Sequence, residues 1–463
     1  MNEIITHSMM LPIIVPLLAG VICLFIPTAA NSLRSLVAVL ATVATGVVTW
    51  PLLGQSGVVF EPTPWFSLRI DELSALVLLA VVVFGFLIAI YSPAYMKGRA
   101  RHREYFTYLL WTLSISCAVV LANDLLLLLV CWGLLGLLLY LMCGISGPGA
   151  AEAARKSLMI IGASDAVLLF GIVIYWQLAG STQFGGDAMA LDSPAAYIAF
   201  AAFVAAAFAK AGAVPLHSWV PDFGGSTDAP VSAYLPASLD KLLGIYLLAR
   251  CVMELFVLTA AMYWILMLLG AITLLTGVMM ALVQHELKRL LSFHAISQVG
   301  YMVLGIGSGT ALGLAGGLFH MLNNAIYKSA LFLCAGVVEK EAGSTDLDRL
   351  GGLARLLPVT FIVCTVSALA IAGVPPLNGF ASKWMIYQGI IDSGSDGGIS
   401  WAIWLSVALL GSALTLASFV KVLHATFLCK PSPDVQARDI RERSPSMLVP
   451  LVVLAALCVV FGV

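Results

Sequence analysis

Residues 124–145 read DLLLLLVCWGLLGLLLYLMCGI, a run whose only charged residue is the aspartate at its start. About 20 apolar residues in a row are enough for a helix to cross the roughly 30 Å hydrocarbon core of a bilayer. Because lipid offers the backbone no hydrogen-bond partner, a membrane segment must be a helix or a strand of a closed barrel. A barrel strand would alternate apolar and polar residues, and this run does not. The run therefore predicts a transmembrane helix.

Comparable apolar runs recur along the whole chain. Of its 463 residues, 61% are hydrophobic and only 10% are charged, and the mean hydropathy is +1.02. A soluble domain carries about 25% charged residues because its surface must face water. We therefore predict an all-α, polytopic integral membrane protein with about 14 transmembrane helices. The predicted spans lie near 9–27, 33–53, 72–93, 106–122, 124–145, 156–179, 193–211, 228–250, 262–283, 290–307, 311–338, 358–378, 400–424 and 446–463.

Basic residues gather in alternate loops between these spans. The loop after the third span, residues 94–105, is rich in Lys and Arg, and later basic loops around 288–289 and 430–443 fall on the same side of the membrane. Cytoplasmic loops carry the excess of Lys and Arg, so the N-terminus is expected on the opposite, outer side of the membrane. We expect that membrane to be the cytoplasmic (inner) membrane of a prokaryote. The run 9–27 lacks a basic leader and a small-residue cleavage site, which favours a retained first helix.

Composition also bounds the partners and cofactors. The net charge of −1 gives no reason to expect a nucleic-acid partner. The 9 cysteines are scattered singly, without a CxxC pair or a His/Cys cluster, which argues against an iron–sulfur centre, and we predict no metal site. An intramembrane enzyme is the least expected class, because the sequence has no HExxH and no nucleophile elbow.

Two stretches at membrane depth interrupt the helical pattern. One begins at Lys210 and reads KAGAVP; the other begins at Ala372 and reads AGVPPLNG. Proline removes a backbone donor and clashes with the preceding turn, so each stretch predicts a discontinuous helix, although an ordinary proline kink is the alternative at either one. The prolines concerned are Pro215, Pro221, Pro375 and Pro376.

Interrupted helices in corresponding places of two halves are typical of transporters with internal repeats. We therefore predict two five-helix repeats, 106–250 and 262–424. A three-helix segment, 1–105, would precede them, and a basic loop with a last helix, 425–463, would follow.

Several ionisable residues lie inside the predicted spans. A charge at the bilayer centre costs about 2.5–3.5 kcal/mol on insertion scales, so such residues usually serve a pathway. A lone histidine can instead form a hydrogen bond between helices, and a lysine near a helix end can reach the headgroups. The candidates for an ion pathway are Asp165, Lys210, Asp240, Lys241, His294, His320, Lys328 and Lys383.

These residue types suit proton transfer. Burial disfavours the charged form of a lysine, and a nearby carboxylate favours it, so moving a carboxylate can make a lysine hold or release a proton. Neutral imidazole donates and accepts, and His320 lies about two turns from Lys328 on one predicted helix. The hypothesis is a line of half-channels along the membrane plane. An ammonium group cannot ligate Na⁺, which favours H⁺ as the ion carried, without excluding Na⁺.

Seven motifs resemble one family. They are Arg69–Ser74, Tyr91–Met96, Pro215–Asp222, Ala229–Ala233, Lys288–Tyr301, His320–Leu333 and Gly373–Lys383. Together they resemble the antiporter-like proton-translocating subunits of respiratory complex I, membrane-bound hydrogenases and multi-subunit Na⁺/H⁺ antiporters. The resemblance covers nearly the whole chain. It implies that the two five-helix repeats are inverted, that the subunit has no cofactor, and that it works with other membrane and peripheral redox subunits or with ion-exchange subunits.

The resemblance also implies roles for single residues. Lys210 corresponds to the broken-helix lysine of the first half, and Lys241 to the central lysine of the following helix. Lys328 corresponds to the central lysine of the second half or a neighbouring site, and Lys383 to the terminal residue at the exit. Asp165 corresponds to an acid found in some members.

The chain departs from the family at two positions. A glutamate usually follows the tryptophan of the fifth helix, but Gly133 follows Trp132 here, and Asn324 replaces a frequent histidine after His320. Either Asp165 takes over the role of the glutamate, or the first half no longer pumps. The departure favours a hydrogenase-like or otherwise divergent complex.

Three functions stay open at this point. The first is a non-catalytic, proton-translocating subunit of an oxidoreductase complex similar to complex I or to a membrane-bound hydrogenase. The second is a subunit of a Na⁺/H⁺ antiporter or an inorganic-carbon uptake complex without redox chemistry. The third is a membrane scaffold that no longer pumps, for which Gly133 is the best argument.

Overall fold

The computed structural model describes residues 8–63, 66–394 and 398–463. Within these ranges, 10 helices are long and apolar enough to cross a membrane, and three shorter apolar helices accompany them. The prediction of a mostly helical integral membrane protein is confirmed. The helices exist because each apolar run must satisfy its own backbone hydrogen bonds in lipid.

The chain forms two compact units. The first holds the residues up to Lys210 and the segment Leu242–Val257. Its helices are α1 (Leu11–Phe25), α2 (Asn31–Thr49), α3 (Glu72–Tyr95), α4 (His102–Leu121), α5 (Leu125–Gly144), α6 (Ala151–Ala179) and α7 (Pro194–Ala211), whose last residue belongs to the second unit. Strands β1 (Val58–Thr63) and β2 (Phe66–Ile70) pair antiparallel, and β3 (Met189–Ala190) pairs parallel with β4 (Phe256–Val257).

The second unit holds Ala211–Lys241 and Leu258–Val463. Its first helices are α8 (Trp219–Ser226) and α9 (Ala229–Tyr234), followed by a π-helical turn, Leu235–Leu239, and by α10 (Asp240–Arg250), which continues into the first unit after Lys241. The remaining helices are α11 (Ala260–Leu282), α12 (Leu287–Gly307), α13 (Ala311–Ala342), α14 (Pro358–Ala372), α15 (Asn378–Asp392), α16 (Ser400–Leu423), α17 (Pro433–Gln436) and α18 (Pro445–Val460).

Glycines bring α11 and α12 into backbone contact. A Cβ on Gly277 would lie 2.5 Å from the amide nitrogen of Ser297, and one on Gly300 would lie 2.5 Å from that of Leu274. Lipid provides no hydrophobic force between helices, so close packing through small residues holds them together. Of the long apolar helices that the structure describes, α12 is the most enclosed, since its apolar stretch is buried throughout.

Polar residues beside the apolar runs cap several helices. Asp71 accepts a hydrogen bond from the Ser74 amide at 2.9 Å, and the Ser74 hydroxyl accepts one from the Asp71 amide at 2.8 Å. Asp124 caps α5 in a similar way, accepting from the amides of Leu126 and Leu127 at 2.8 and 3.2 Å. A helix leaves its first amides without partners, so these side chains define where the spans begin.

The backbone leaves helical geometry at two places in membrane-depth sequence. Helix α7 ends at Ala211, Gly212 adopts φ +75, and α8 begins at Trp219. Helix α14 ends at Ala372, Gly373 adopts φ +85, and α15 begins at Asn378. A left-handed residue at a helix end is usually glycine because a Cβ would crowd the backbone.

The four prolines singled out in the sequence lie at or near these interruptions. The peptide bonds Val214–Pro215 and Pro375–Pro376 are cis. Pro221 lies inside the first turn of α8 and not in the interruption itself. The first amides of a helix have no partner within the helix, so proline fits there without losing a hydrogen bond.

Candidate ion-translocation site

Lys210 lies one residue before the end of α7, and its side chain is buried. Its Nζ lies 3.4 Å from the backbone oxygen of Trp132 and 5.1 Å from the centre of the Trp132 ring. Both contacts come from α5. A carbonyl oxygen and the face of an aromatic ring each attract a cation, so this surface of α5 accommodates an ammonium group.

Asp165, on α6, faces the same stretch of α5. A Cβ on Gly133 would lie 3.8 Å from Asp165 Oδ2, and a Cβ on Gly136 would lie 3.6 Å from it. Asp165 and Lys210 thus lie beside adjacent residues of α5, Gly133 and Trp132. A carboxylate therefore occupies the space that a longer side chain at position 133 would enter, although residue 133 is glycine.

Lys241, on α10, lies against the first interruption. A Cβ on Gly212 would lie 3.4 Å from its Nζ, and the Trp219 ring centre is 5.8 Å away. Within the part of the chain that the structure describes, this buried Nζ has no hydrogen-bond acceptor. The adjacent Asp240 is also buried. Lys241 is thus a buried lysine beside Gly212 and the Trp219 ring.

Lys328, in the middle of α13, is also fully buried. Its Nζ donates to the backbone oxygen of Leu291 at 2.8 Å and lies 5.7 Å from the centre of the Phe419 ring. The ring of His294 packs against the same phenylalanine, with centres 4.7 Å apart, and His294 Nε2 is 2.7 Å from Ser418 Oγ. Phe419 therefore lies near two of the predicted ionisable residues, His294 and Lys328.

His320, earlier on α13, joins three polar side chains. Its Nδ1 is 2.9 Å from Ser382 Oγ, and its Nε2 is 3.1 Å from Gln298 Oε1. The Tyr327 hydroxyl is 3.3 Å from His320 Nε2 and donates to Gln298 Oε1 at 3.4 Å. With Gln298 Oε1 as an acceptor, a neutral imidazole would carry its proton on Nε2 and accept at Nδ1 from Ser382, whose hydroxyl also lies 3.1 Å from the Asn378 backbone oxygen. A neutral imidazole in this position can both take and give a proton.

Asn324 lies on the same helix between His320 and Lys328. Its Nδ2 donates to the backbone oxygen of Ala237 at 3.4 Å, and among the described residues its Oδ1 has no hydrogen-bond partner. It therefore links α13 to the π-helical turn before α10 and, unlike a histidine, does not titrate.

Lys383, on α15, lies at the second interruption. Its Nζ donates to the backbone oxygens of Ile371 and Ala372 at 2.9 and 3.3 Å, the last two residues of α14. It also donates to Ser412 Oγ at 3.1 Å and lies 4.6 Å from the centre of the Tyr301 ring. The carboxyl end of a helix carries partial negative charge, which suits a cation.

Several residues of these groups were not among the predicted candidates. Gln298 and Tyr301 lie in a stretch that the resemblance covers, so their polarity inside a buried span was an available signal. Ser412 offered none, because a serine in an apolar helix commonly bonds to its own backbone.

Four charged residues of the first unit form a further cluster. Arg69 contacts Asp71 at 2.7 Å and Glu254 at 2.6 Å, while Arg250 contacts Asp71 at 2.8 Å and also pairs with Glu254. Burial favours the neutral acid of Asp71. The hydrogen bonds from Arg250 and the Ser74 amide, together with the charge of Arg69, outweigh this effect of burial. They hold the pKa of Asp71 well below its ordinary value. The cluster joins the start of α3 to the segment after α10.

The described residues contain no group of three or more His, Cys, Asp or Glu side chains that could hold a metal ion. The polar groups are instead lysines with carbonyl, hydroxyl, aromatic and imidazole neighbours.

Comparison with known proteins defines the class. Residues 122–415 match the family described as NADH:quinone oxidoreductase/Mrp antiporter, TM, and residues 63–106 match the one described as NADH-Ubiquinone oxidoreductase (complex I), chain 5 N-terminus. The chain belongs to this family of antiporter-like membrane subunits.

Curated relatives come from several kinds of complex. The chain is 31% identical to F(420)H(2) dehydrogenase subunit L of Methanosarcina mazei, over 97% of this chain and 72% of the relative. It is 30% identical to NADH-quinone oxidoreductase subunit N of Desulforudis audaxviator, over 96% of this chain and 95% of the relative. It is 32% identical to Na(+)/H(+) antiporter subunit A1 of Staphylococcus haemolyticus, over 86% of this chain and 52% of the relative. The chain therefore spans about half of that antiporter subunit.

Solved structures share the fold. A chain of the Mrp complex from Dietzia sp. superposes with a TM-score of 0.87 at 23% identity, covering 99% of this chain and 94% of that one. A chain of respiratory complex I from Thermus thermophilus superposes with a TM-score of 0.84 at 22% identity, covering 98% and 95%.

Proposed function

We propose that this chain is a proton-translocating, antiporter-like subunit of a multi-subunit membrane complex and has no cofactor of its own. The observation that carries the proposal is the burial of Lys210, Lys241, Lys328 and Lys383, each at most 1% exposed. An ammonium group in a low-dielectric interior is costly, so a chain that keeps four of them at membrane depth uses them.

We further propose the finer architecture. About 14 spans would include two inverted five-helix repeats, 106–250 and 262–424, with the N-terminus outside the cytoplasmic membrane. Support comes from the two helix ends at Ala211 and Ala372, each followed by a left-handed glycine and a proline-containing segment. Interruptions of this kind typically lie at transport sites.

In the first unit, Asp165 would serve as the acid that acts on Lys210. Its carboxylate lies against the bare backbone of Gly133, so the charge is supplied from α6 and not from α5. Moving this carboxylate, or changing its protonation, would alter how tightly Lys210 holds its proton. This interpretation favours a working first half over a scaffold.

The partners would be other subunits of the same complex. Relatives named after F(420)H(2) dehydrogenase and NADH-quinone oxidoreductase favour redox partners. Relatives named Na(+)/H(+) antiporter subunits, at similar identity, favour a complex driven by an ion gradient as the second candidate.

The experiment uses the intact complex, isolated through an affinity tag on this chain and reconstituted into vesicles. Co-purifying redox subunits support the first candidate, and small antiporter subunits alone support the second. Proton uptake is followed with a pH-sensitive acridine dye while the complex is driven by an electron donor or by a Na⁺ gradient.

Lys241→Ala and Lys328→Ala should each abolish proton uptake with the subunit composition unchanged. Lys430→Ala is the matched control, because that lysine is exposed in the segment between α16 and α17. Normal uptake by both interior variants would refute the proposed route.

A further inference from the structure

The three hydrogens of the Lys383 ammonium group meet three acceptors. Two are the carbonyl oxygens of Ile371 and Ala372, at 2.9 and 3.3 Å, and the third is Ser412 Oγ at 3.1 Å. An ammonium group has three donors and no acceptor, so its hydrogen-bonding capacity is filled. The two carbonyl oxygens can only accept, whereas the serine hydroxyl can accept or donate.

Tyrosines determine the direction of the Ser412 hydrogen bonds. The Tyr301 hydroxyl donates its only hydrogen to the backbone oxygen of Ala408 at 2.7 Å, so it must accept from Ser412, 2.8 Å away. Tyr387 then donates to Ser412 at 2.7 Å. The Ser412 hydroxyl therefore donates once and accepts from Lys383 and Tyr387, which fills its capacity as well.

We propose that Ser412 is a positioning residue that lets Lys383 hold its ammonium group at the second interruption and also exist there as a neutral amine. A neutral amine has two hydrogens and one lone pair, so one of its three neighbours must become a donor. Ser412 alone among them can turn its hydroxyl to donate. This proposal rests on the proposed role of Lys383 in ion translocation.

The test measures proton translocation by the intact complex in vesicles. Ser412→Ala should lower the translocation rate several-fold, and Ser412→Thr, which keeps the hydroxyl, should restore most of it. Ser406→Ala is the matched control, since Ser406 lies on the same helix, is exposed, and donates only to the Ala402 oxygen of its own helix at 2.7 Å. It should translocate normally.

The outcomes separate the two proposals. Normal translocation by Ser412→Ala, or failure of Ser412→Thr to restore the rate, would overturn the role of the hydroxyl. Lys383→Met is measured in parallel. If that variant translocates normally, the proposed route through Lys383 fails; if it is inactive while Ser412→Ala is normal, only the role of Ser412 is refuted.

Discussion

The two helix interruptions of the second unit use the same local geometry but give their lysines different surroundings. At the first, Lys241 Nζ lies against left-handed Gly212 and, among the described residues, has no hydrogen-bond acceptor. At the second, Lys383 packs against left-handed Gly373 and donates to two carbonyl oxygens and a hydroxyl.

The difference shows that burial alone does not define what a lysine can do. An ammonium group with filled hydrogen bonds is held in the charged form, whereas one enclosed by apolar and aromatic groups is held less firmly. Under the proposed function, Lys383 would exchange a proton within a filled set of hydrogen bonds, whereas Lys241 would do so without an acceptor among the described residues.

Replacing Lys241 and Lys383 by alanine, one at a time, should have the largest effects of the variants considered. Lys241→Ala should lower translocation about 10²-fold or more, the effect of losing a proton-transfer group, while leaving the unfolding temperature nearly unchanged. Lys383→Ala should lower both the translocation rate and the unfolding temperature, because each acceptor that loses its hydrogen bond to Lys383 costs about 1–3 kcal/mol of stability. Dye-based proton uptake and thermal unfolding of the purified complex measure the two quantities. Equal unfolding temperatures for both variants would show that the hydrogen bonds of Lys383 do not distinguish it from Lys241.

Alanine substitutions of the two left-handed glycines test how tightly each interruption is packed. Gly212→Ala and Gly373→Ala should each destabilise the complex by about 1–2 kcal/mol, because both residues adopt left-handed conformations. The Gly212 variant should be worse, since its Cβ would lie 2.5 Å from Val220 Cγ2. The added Cβ at Gly373 would meet the flexible Lys383 side chain at 3.0 Å.

Thermal unfolding of the purified complex checks this order. Gly54→Ala is the control, because a Cβ there would meet no heavy atom within 4 Å. If Gly373→Ala proved more destabilising than Gly212→Ala, the contacts assigned to the two glycines would be wrong.

A smaller effect is expected for the acid of the first unit. Asp165→Asn should lower translocation about threefold to fivefold, corresponding to about 1 kcal/mol for a charge interaction that is partly exposed. The double variant Asp165→Ala/Gly133→Glu should recover activity relative to Asp165→Ala, because the shortened residue 165 vacates the space that a side chain at position 133 would enter. Proton uptake measures these variants. An unchanged rate for Asp165→Asn would support an inactive first half.

The smallest effect is expected for Gly133→Ala. Its Cβ would lie 3.8 Å from Asp165 Oδ2, an ordinary van der Waals contact, so translocation and unfolding temperature should both stay close to those of the unaltered complex. A large loss in the same two assays would mean that α5 and α6 pack more tightly there than the Cβ distance indicates.

The fold could be predicted from sequence because lipid constrains it strongly. A run such as 124–145 has one permitted structure in a membrane, and polar residues such as Asp124 mark where it begins. Glycine beside proline marked the helix ends near 211 and 372, because neither residue continues a helix well. Pro221 was less informative, since proline is also tolerated in a first helical turn.

The hydrogen-bond partners could not be predicted in this way. Pairing of Lys383 with Ser412 depends on how α15 packs against α16, and an apolar helix gives no sequence signal of which serine faces inward. The same holds for Asp165, whose closeness to Gly133 follows from the packing of α5 against α6. Sequence indicated which groups are ionisable, and tertiary packing decides which of them interact.

Nitrogen-15 NMR of lysine side chains in the reconstituted complex can show whether the buried lysines gain and lose protons during translocation. The Nζ signals of Lys241 and Lys328 are assigned by their loss in the Lys241→Arg and Lys328→Arg variants, and spectra are compared between the resting and the driven complex. If these lysines carry protons, at least one of the two signals should change between ammonium and amine shifts when the complex is driven. Ammonium shifts for both lysines in both states would contradict that expectation.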